Sequence, residues 1–273
     1  MDNESRFGHE TPVVGMVHLP ALPGAPRYDR EAGRERIHEV ARRDAERLAE
    51  GGVDAVMVEN FGDAPFYPDD VPKHVVAEVT ALARTVREAA DLPVGVNVLR
   101  NDAGAAVAAA AAAGGAFARV NVHTGARVAD QGILQGKAHE TARLRERVGA
   151  DVALLADVDV KHSAPLADEE YEAESLAEST ERGLADGIVV SGQRTGRATA
   201  MDDVREAVER RDSLGTGTPV FVGSGVTADT VADLLSVADG AIVGTALKKG
   251  GETTAPVDVE RVERLVAVAD EAR

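Results

Sequence analysis

"EGGVDAVMVEN", residues Glu50–Asn60, holds the unit whose repetition decides the fold. Gly51 and Gly52 suit the end of a helix, where a left-handed residue costs little. The run to Val58 is apolar except for Asp54, and the chain then turns polar at Glu59 and Asn60. An apolar strand without alternation leaves no face for water, as in a parallel sheet covered on both sides.

The same grammar recurs outward in both directions. Apolar runs occur at "PVVGMVHL" (12–19), "DAVMVEN" (54–60), "PVGVNVL" (93–99) and "FARVNVHT" (117–124). They continue at "DVALLADVDV" (151–160), "GIVVSG" (187–192), "PVFVGSG" (219–225) and "GAIVGTAL" (240–247). Helical spacing fills the gaps, over 30–50, 72–90, 102–113, 135–148, 168–183, 201–211, 227–236 and 256–271. Strict alternation makes each connection a right-handed crossover. Eight units with no extra strand predict one α/β domain over 1–273, a closed (β/α)8 TIM barrel, with residues 1–11 loosely ordered.

In such a barrel the substrate meets the carboxyl ends of the strands. That is where this chain places its unusual side chains. The first strand ends at His18, before "LPALPGAPRY", whose three prolines stiffen a loop expected to form a fixed wall or partial cover over the mouth, or else a rigid connector without ligand contact. Glu59, Asn60, Asn97, Arg119, Asn121 and His123 close the next three strands. Uncharged amides at Asn60, Asn97 and Asn121 suit the hydroxyls of a sugar or the edge of a polar heterocycle. "SGQRTG" follows, with Ser191 and Gly192 expected to bind phosphate and with Arg194 and Arg197 as an anion clamp or merely surface ion pairs.

"LADVDVKHSAPL" is the richest stretch for chemistry. Alternation sends Asp157, Asp159 and Lys161 to one side. With Glu59 and His162 they form the expected catalytic set, Lys161 serving as acid, base or Schiff-base former, or simply as an ion-pair partner. The oxygen donors among them, with His162, also suit Mg2+, although no cofactor is required. Two late Gly-rich turns, Gly223-Ser224-Gly225 and Gly244-Thr245, sit where this fold holds phosphate, and their backbone amides form the expected grip.

Composition narrows the partners. The net charge is −17 and aromatic residues make up 3%, which opposes binding to a phosphate backbone and leaves few platforms for stacked bases. Nucleic acid is therefore not expected. The absence of Cys rules out disulfides and thiolate chemistry. No apolar stretch approaches about 20 residues, so stable membrane insertion is not expected and a cytoplasmic location is. Asp and Glu far outnumber Lys, as in proteins adapted to a high-salt cytoplasm. Oligomeric state is not written in the residues, though barrels of this kind often pair through their helices.

Taken together, "GMVHLPALPGAPRY", "VENFGDAPF", "GVNVLRNDA", "RVNVHTGA", "DQGILQGKA", "DVDVKHSAPL" and "SGQRTG" resemble the BtpA/SgcQ family from Val13 to about Leu247. The resemblance implies a barrel of the ribulose-phosphate-binding type. It also implies either of two roles: biogenesis of photosystem I, or an enzyme of sugar or nucleoside metabolism. The expected function is an enzyme acting on a phosphorylated sugar or nucleoside-type molecule, with isomerase, lyase and glycosyl or phosphoribosyl transfer all open. The alternatives are a non-catalytic assembly factor for a membrane complex and a regulator that binds a phosphometabolite.

Overall fold

In the computed structural model, which describes residues 1–158, 160, 162–166, 175–191 and 201–273, the eight apolar runs become eight parallel strands closed into a barrel. The strands in chain order are β1 (Val13–His18), β2 (Ala55–Glu59), β3 (Val94–Asn97), β4 (Phe117–Val120), β5 (Ala126–Ala129) and β6 (Gly132–Gln135). They continue with β7 (Ala153–Val158), β8 (Ser163–Pro165), β9 (Gly187–Val190), β10 (Val220–Val222) and β11 (Gly240–Val243). The barrel runs β1-β11-β10-β9-β7-β4-β3-β2, and followed once round its registers do not return to the starting residue. That stagger tilts the strands and lets the sheet close.

The helices are α1 (Asn3–Phe7), α2 (Gly33–Glu50), α3 (Lys73–Ala90), α4 (Ala103–Ala113) and α5 (Ala138–Val148). After them come α6 (Ser175–Ala177, continued by a π-helical turn over Glu178–Arg182), α7 (Met201–Leu214), α8 (Val231–Leu235) and α9 (Val259–Ala272). The Asp102 side chain caps α4 by accepting from the Ala105 amide at 2.7 Å. Its other oxygen takes the Val71 amide at 2.7 Å, which ties the loop before α3 to the start of α4.

Two expectations about layout need correction. The chain does hold strands beyond the eight: β5, β6 and β8 form an antiparallel sheet outside the barrel. Its hairpin turns at Asp130–Gln131, and one face is anchored by Leu134, which is buried with Val122 and Val160. Pairing of Gln135 in β6 delays α5 to Ala138. The first eleven residues are also packed rather than loose. Asn3 donates to the carbonyls of Glu10 (2.9 Å) and Asp239 (2.8 Å), and Phe7 enters the floor of the barrel edge-on to Phe117 and Phe221.

Strand alternation sorts the apolar residues into two cores. Val13, Val17, Val56, Val58, Val94 and Val96 face the helices. Val14, Met16, Ala55, Met57, Phe117, Leu155, Val189, Phe221 and Ile242 fill the interior with Phe7. Each large side chain so buried contributes about 1.5–3 kcal/mol. The barrel interior is thus a solid floor up to one level.

Candidate functional site

Carrying the inward alternation one step further along each strand changes the chemistry completely. Above Met16, Met57 and Phe117 come His18, Glu59 and Arg119; above Leu155, Val189, Phe221 and Ile242 come Asp157, Ser191, Gly223 and Gly244. Asn97 supplies the eighth position, paired in register with Glu59 on one side and Arg119 on the other. Six barrel strands therefore contribute a polar side chain to a layer resting on an apolar floor, and the other two contribute a glycine.

The layer is wired around Asp157. Arg119 donates to it twice, Nε to Oδ1 at 2.8 Å and Nη2 to Oδ2 at 3.0 Å, and Nη2 also reaches Ser191 Oγ at 3.1 Å. Asn121 Nδ2 donates to Asp157 Oδ2 at 2.9 Å. Asn97 Nδ2 donates to the Arg119 carbonyl at 2.9 Å and to Asn121 Oδ1 at 3.2 Å. Burial opposes the charge of Arg119, but the field and hydrogen bonds of Asp157, with the field of Glu59, outweigh it and hold the guanidinium above its ordinary pKa. Arg100 stands in the same field: burial lowers its pKa, and Asp157 and Glu59 oppose that shift while Arg119 adds to it. Arg100 is a member of the site that the sequence reading missed. Its one signal was position, just past the end of β3.

On the opposite wall His18 Nε2 lies 3.8 Å from Glu59 Oε1, and its ring leans on Phe61 with centroids 5.1 Å apart. The late glycines join this wall to the Asp157 network. A methyl group at Gly223 would come within 2.7 Å of Ser191 Oγ and 3.2 Å of Arg119 Nη2; one at Gly244 would come within 2.9 Å of the His18 ring. Glycine fits both positions because Val189 and Ser191 at the one, and the His18 ring at the other, occupy the space of a side chain. Asp157 and the late glycines thus share one mouth.

The Pro-rich loop is built in as a wall. Asp63 Oδ1 accepts the Leu22 amide at 2.7 Å, and Asn60 Nδ2 donates to Asp63 Oδ2 at 3.0 Å. Gly62 packs against the backbone of Pro20 and Ala21, where an added methyl would sit 2.3 Å from the Ala21 nitrogen. Burial raises the pKa of Asp63, with the two hydrogen bonds pulling the other way.

Several residues take places other than those expected. Asn60 is not presented to the mouth, because its oxygen accepts the Leu99 amide at 2.7 Å and its nitrogen serves Asp63. His123 turns to the outer wall, where Nε2 contacts the Gly183 carbonyl at 2.8 Å and the ring lines a cavity of about 810 Å³ between α5 and Glu178–Leu184. His162 is exposed on the turn before β8 with φ 56°. Gly223 does not offer its amide, which donates to the Val190 carbonyl at 2.8 Å. Ser224 is buried and Gly225 has φ 69°, but α8 starts only at Val231 and spans just five residues. Thr245 is exposed at a 3-10 turn, its hydroxyl 2.8 Å from that of Thr253. Asp159, Lys161, Gly192, Arg194 and Arg197 lie outside the described residues.

Among the described residues no group of three or more His, Asp or Glu side chains is placed to hold a metal ion. Both oxygens of Asp157 are already taken by Arg119 and Asn121, a poor start for a Mg2+ ligand set. No helix among the described residues is long and apolar enough to cross a membrane.

Comparison with known proteins agrees with this architecture. The chain is 45% identical over 262 residues to an uncharacterized protein of Thermococcus kodakarensis, covering 96% of each chain. It is 41% identical to the photosystem I biogenesis protein BtpA of Synechocystis, covering 97% of this chain and 90% of that one. Among solved structures it is similar to thiamine phosphate pyrophosphorylase from Pyrococcus furiosus, with TM-score 0.58, 16% identity and 96% of each chain covered, a likeness of fold alone. The BtpA family model matches residues 9–271, and with these relatives it shows that the chain belongs to the BtpA family.

Proposed function

We propose that this barrel is an enzyme acting on a phosphorylated sugar or nucleoside-type small molecule. The observation that carries the reading is the layer above the apolar floor, where six strands present His18, Glu59, Asn97, Arg119, Asp157 and Ser191 and the other two present Gly223 and Gly244. A core built only for stability has no reason to place so many polar groups at one end of the barrel. Glu59 and His18 are the proposed proton-transfer pair, because Asp157 is committed to Arg119 and acts by orienting it. Lys161 is proposed as a further acid or base. The amides of Ser224, Gly225 and Thr245 are the proposed phosphate grip, with Arg100 adding positive charge. The phosphate in the name of the structurally similar pyrophosphorylase supports this ligand class by analogy of fold.

The test is calorimetric titration with inorganic phosphate and ribose 5-phosphate, followed by turnover in a panel of phosphosugars and nucleotides. Binding that is lost in Gly225→Asp, and turnover that is lost in Glu59→Gln while the melting temperature stays within a few degrees, support the proposal. Absence of binding to any phosphorylated compound overturns it.

A second reading, a non-catalytic assembly factor for a membrane complex, is favoured by the name of the Synechocystis relative. It predicts co-purification with such a complex that survives Glu59→Gln.

A further inference from the structure

Hydrogen bonds in the mouth have a direction, and Asp157 sets it. A carboxylate only accepts, so Asn121 must turn its nitrogen toward Asp157 and its oxygen away. That oxygen, together with the Arg119 carbonyl, calls for a donor from Asn97, which fixes the Asn97 amide with its nitrogen toward β4. A flipped amide would set its oxygen against two acceptors, so the orientation follows from the network. What remains at the end of the relay is Asn97 Oδ1. It is buried with no hydrogen-bond partner among the described residues, in a side chain 1% exposed.

A buried acceptor without a donor is costly, and such groups in native proteins demand an explanation. Asn97 sits at the carboxyl end of β3, beside Glu59 by strand pairing. We infer that Asn97 Oδ1 is a specificity contact that accepts a hydrogen bond from a hydroxyl or N–H of the ligand, on the Glu59 side of the mouth. The inference rests on the phosphosugar reading and narrows it to ligands that carry a donor beside the phosphorylated chain. Glu59 accepts when ionised, so a hydroxyl held by Asn97 is delivered next to the proposed base. Neighbouring Arg119 and Arg100 donate only, and so select acceptors such as phosphate or carbonyl oxygens. The two sides of the mouth therefore read opposite ends of the ligand.

The test compares ribose 5-phosphate with pentyl phosphate, which has the same carbon count and no hydroxyl, by calorimetry on the full chain. Wild type is expected to bind ribose 5-phosphate at least about tenfold more tightly, the effect of leaving one buried acceptor unpaired. In Asn97→Leu that preference should shrink to about twofold or less. Asn97→Ser, which retains a short acceptor, is the second variant should the leucine chain fail to fold, and there the preference should be intermediate. Equal affinity for the two compounds in wild type overturns the inference, as does an undiminished preference in both variants. Either result leaves the phosphate reading standing. Failure of wild type to bind both compounds and inorganic phosphate overturns that reading as well.

Discussion

Arg119 and Asp157, on neighbouring strands β4 and β7, are joined by two parallel hydrogen bonds, with the Asp157 side chain buried and that of Arg119 nearly so. Removing one partner strands the other charge, a loss of about 3–5 kcal/mol, whereas replacing both by apolar groups is close to neutral. Asp157→Ala should therefore lower the melting temperature by about 5–9 °C. Arg119→Met combined with Asp157→Leu should recover most of that loss. Scanning calorimetry of the three chains decides the matter, and a double variant that melts no higher than Asp157→Ala would contradict the pairing.

Lys248 makes a different prediction, about reactivity. Its ammonium donates to Asp44 Oδ2 at 2.7 Å, and Asp44 Oδ1 takes the Val257 amide at 2.9 Å, so the segment after β11 is fastened to α2. Burial lowers the Lys248 pKa, opposed by Asp44. A lower pKa would favour acylation, but access decides when the group is 1% exposed. Mild acetylation followed by peptide mapping should modify the exposed Lys249 and spare Lys248 until the chain unfolds.

Adding one carbon at Gly223 or Gly244 should injure the mouth more than the fold. At Gly223 it meets Val189, Ser191 and Arg119, and at Gly244 it meets His18. Overpacking of this kind costs about 1–3 kcal/mol. Gly223→Ala and Gly244→Ala are expected to stay folded by circular dichroism and to lose at least about tenfold in phosphate affinity, in line with the proposed function.

His123 gives stability a pH dependence with a definite sign. Burial lowers its folded pKa, with Arg145 adding to the effect and the Gly183 carbonyl opposing it. The unfolded chain therefore takes up the proton first as pH falls below about 6.5, and the contribution present above that value is lost toward acid. Asp63 and Asp102, both raised by burial, slope the other way: each favours the fold below about pH 3.9 and loses that contribution as pH rises through its folded pKa. The difference between wild type and His123→Gln isolates the imidazole. The variant should melt with a flatter dependence between pH 7 and 5.

The surface carries its own test. With 47 acidic against 30 basic residues, self-repulsion opposes compaction at low salt. The melting temperature should rise between about 0.1 and 2 M KCl, since screening reaches below the spacing of the charges. No rise would show that the acidity is ordinary.

The barrel could be read from the sequence because its strands are apolar on both sides and leave little room for another period. The runs at Val13, Ala55 and Ala153 were visible for that reason. The outer sheet was not, because "ARVADQGILQ" has a single fully buried apolar residue, Leu134, and its register depends on β8 arriving from elsewhere in the chain. In the mouth, position after a strand identified Glu59, Asn97 and Asp157. It could not show which way an amide or imidazole turns, and so it misplaced Asn60 and His123. Nor could it show that Gly223 spends its amide on the strand ladder.

Phe7 has a consequence for traffic. Its ring stands 5.4 Å from that of Phe117 and 6.0 Å from that of Phe221, corking the end of the barrel opposite the polar layer. Among the described residues the barrel is therefore a cup, open at the polar layer and plugged at the other end. If the proposed function holds, product leaves by the route its substrate used, and competitive product inhibition in steady-state assays is the expected result.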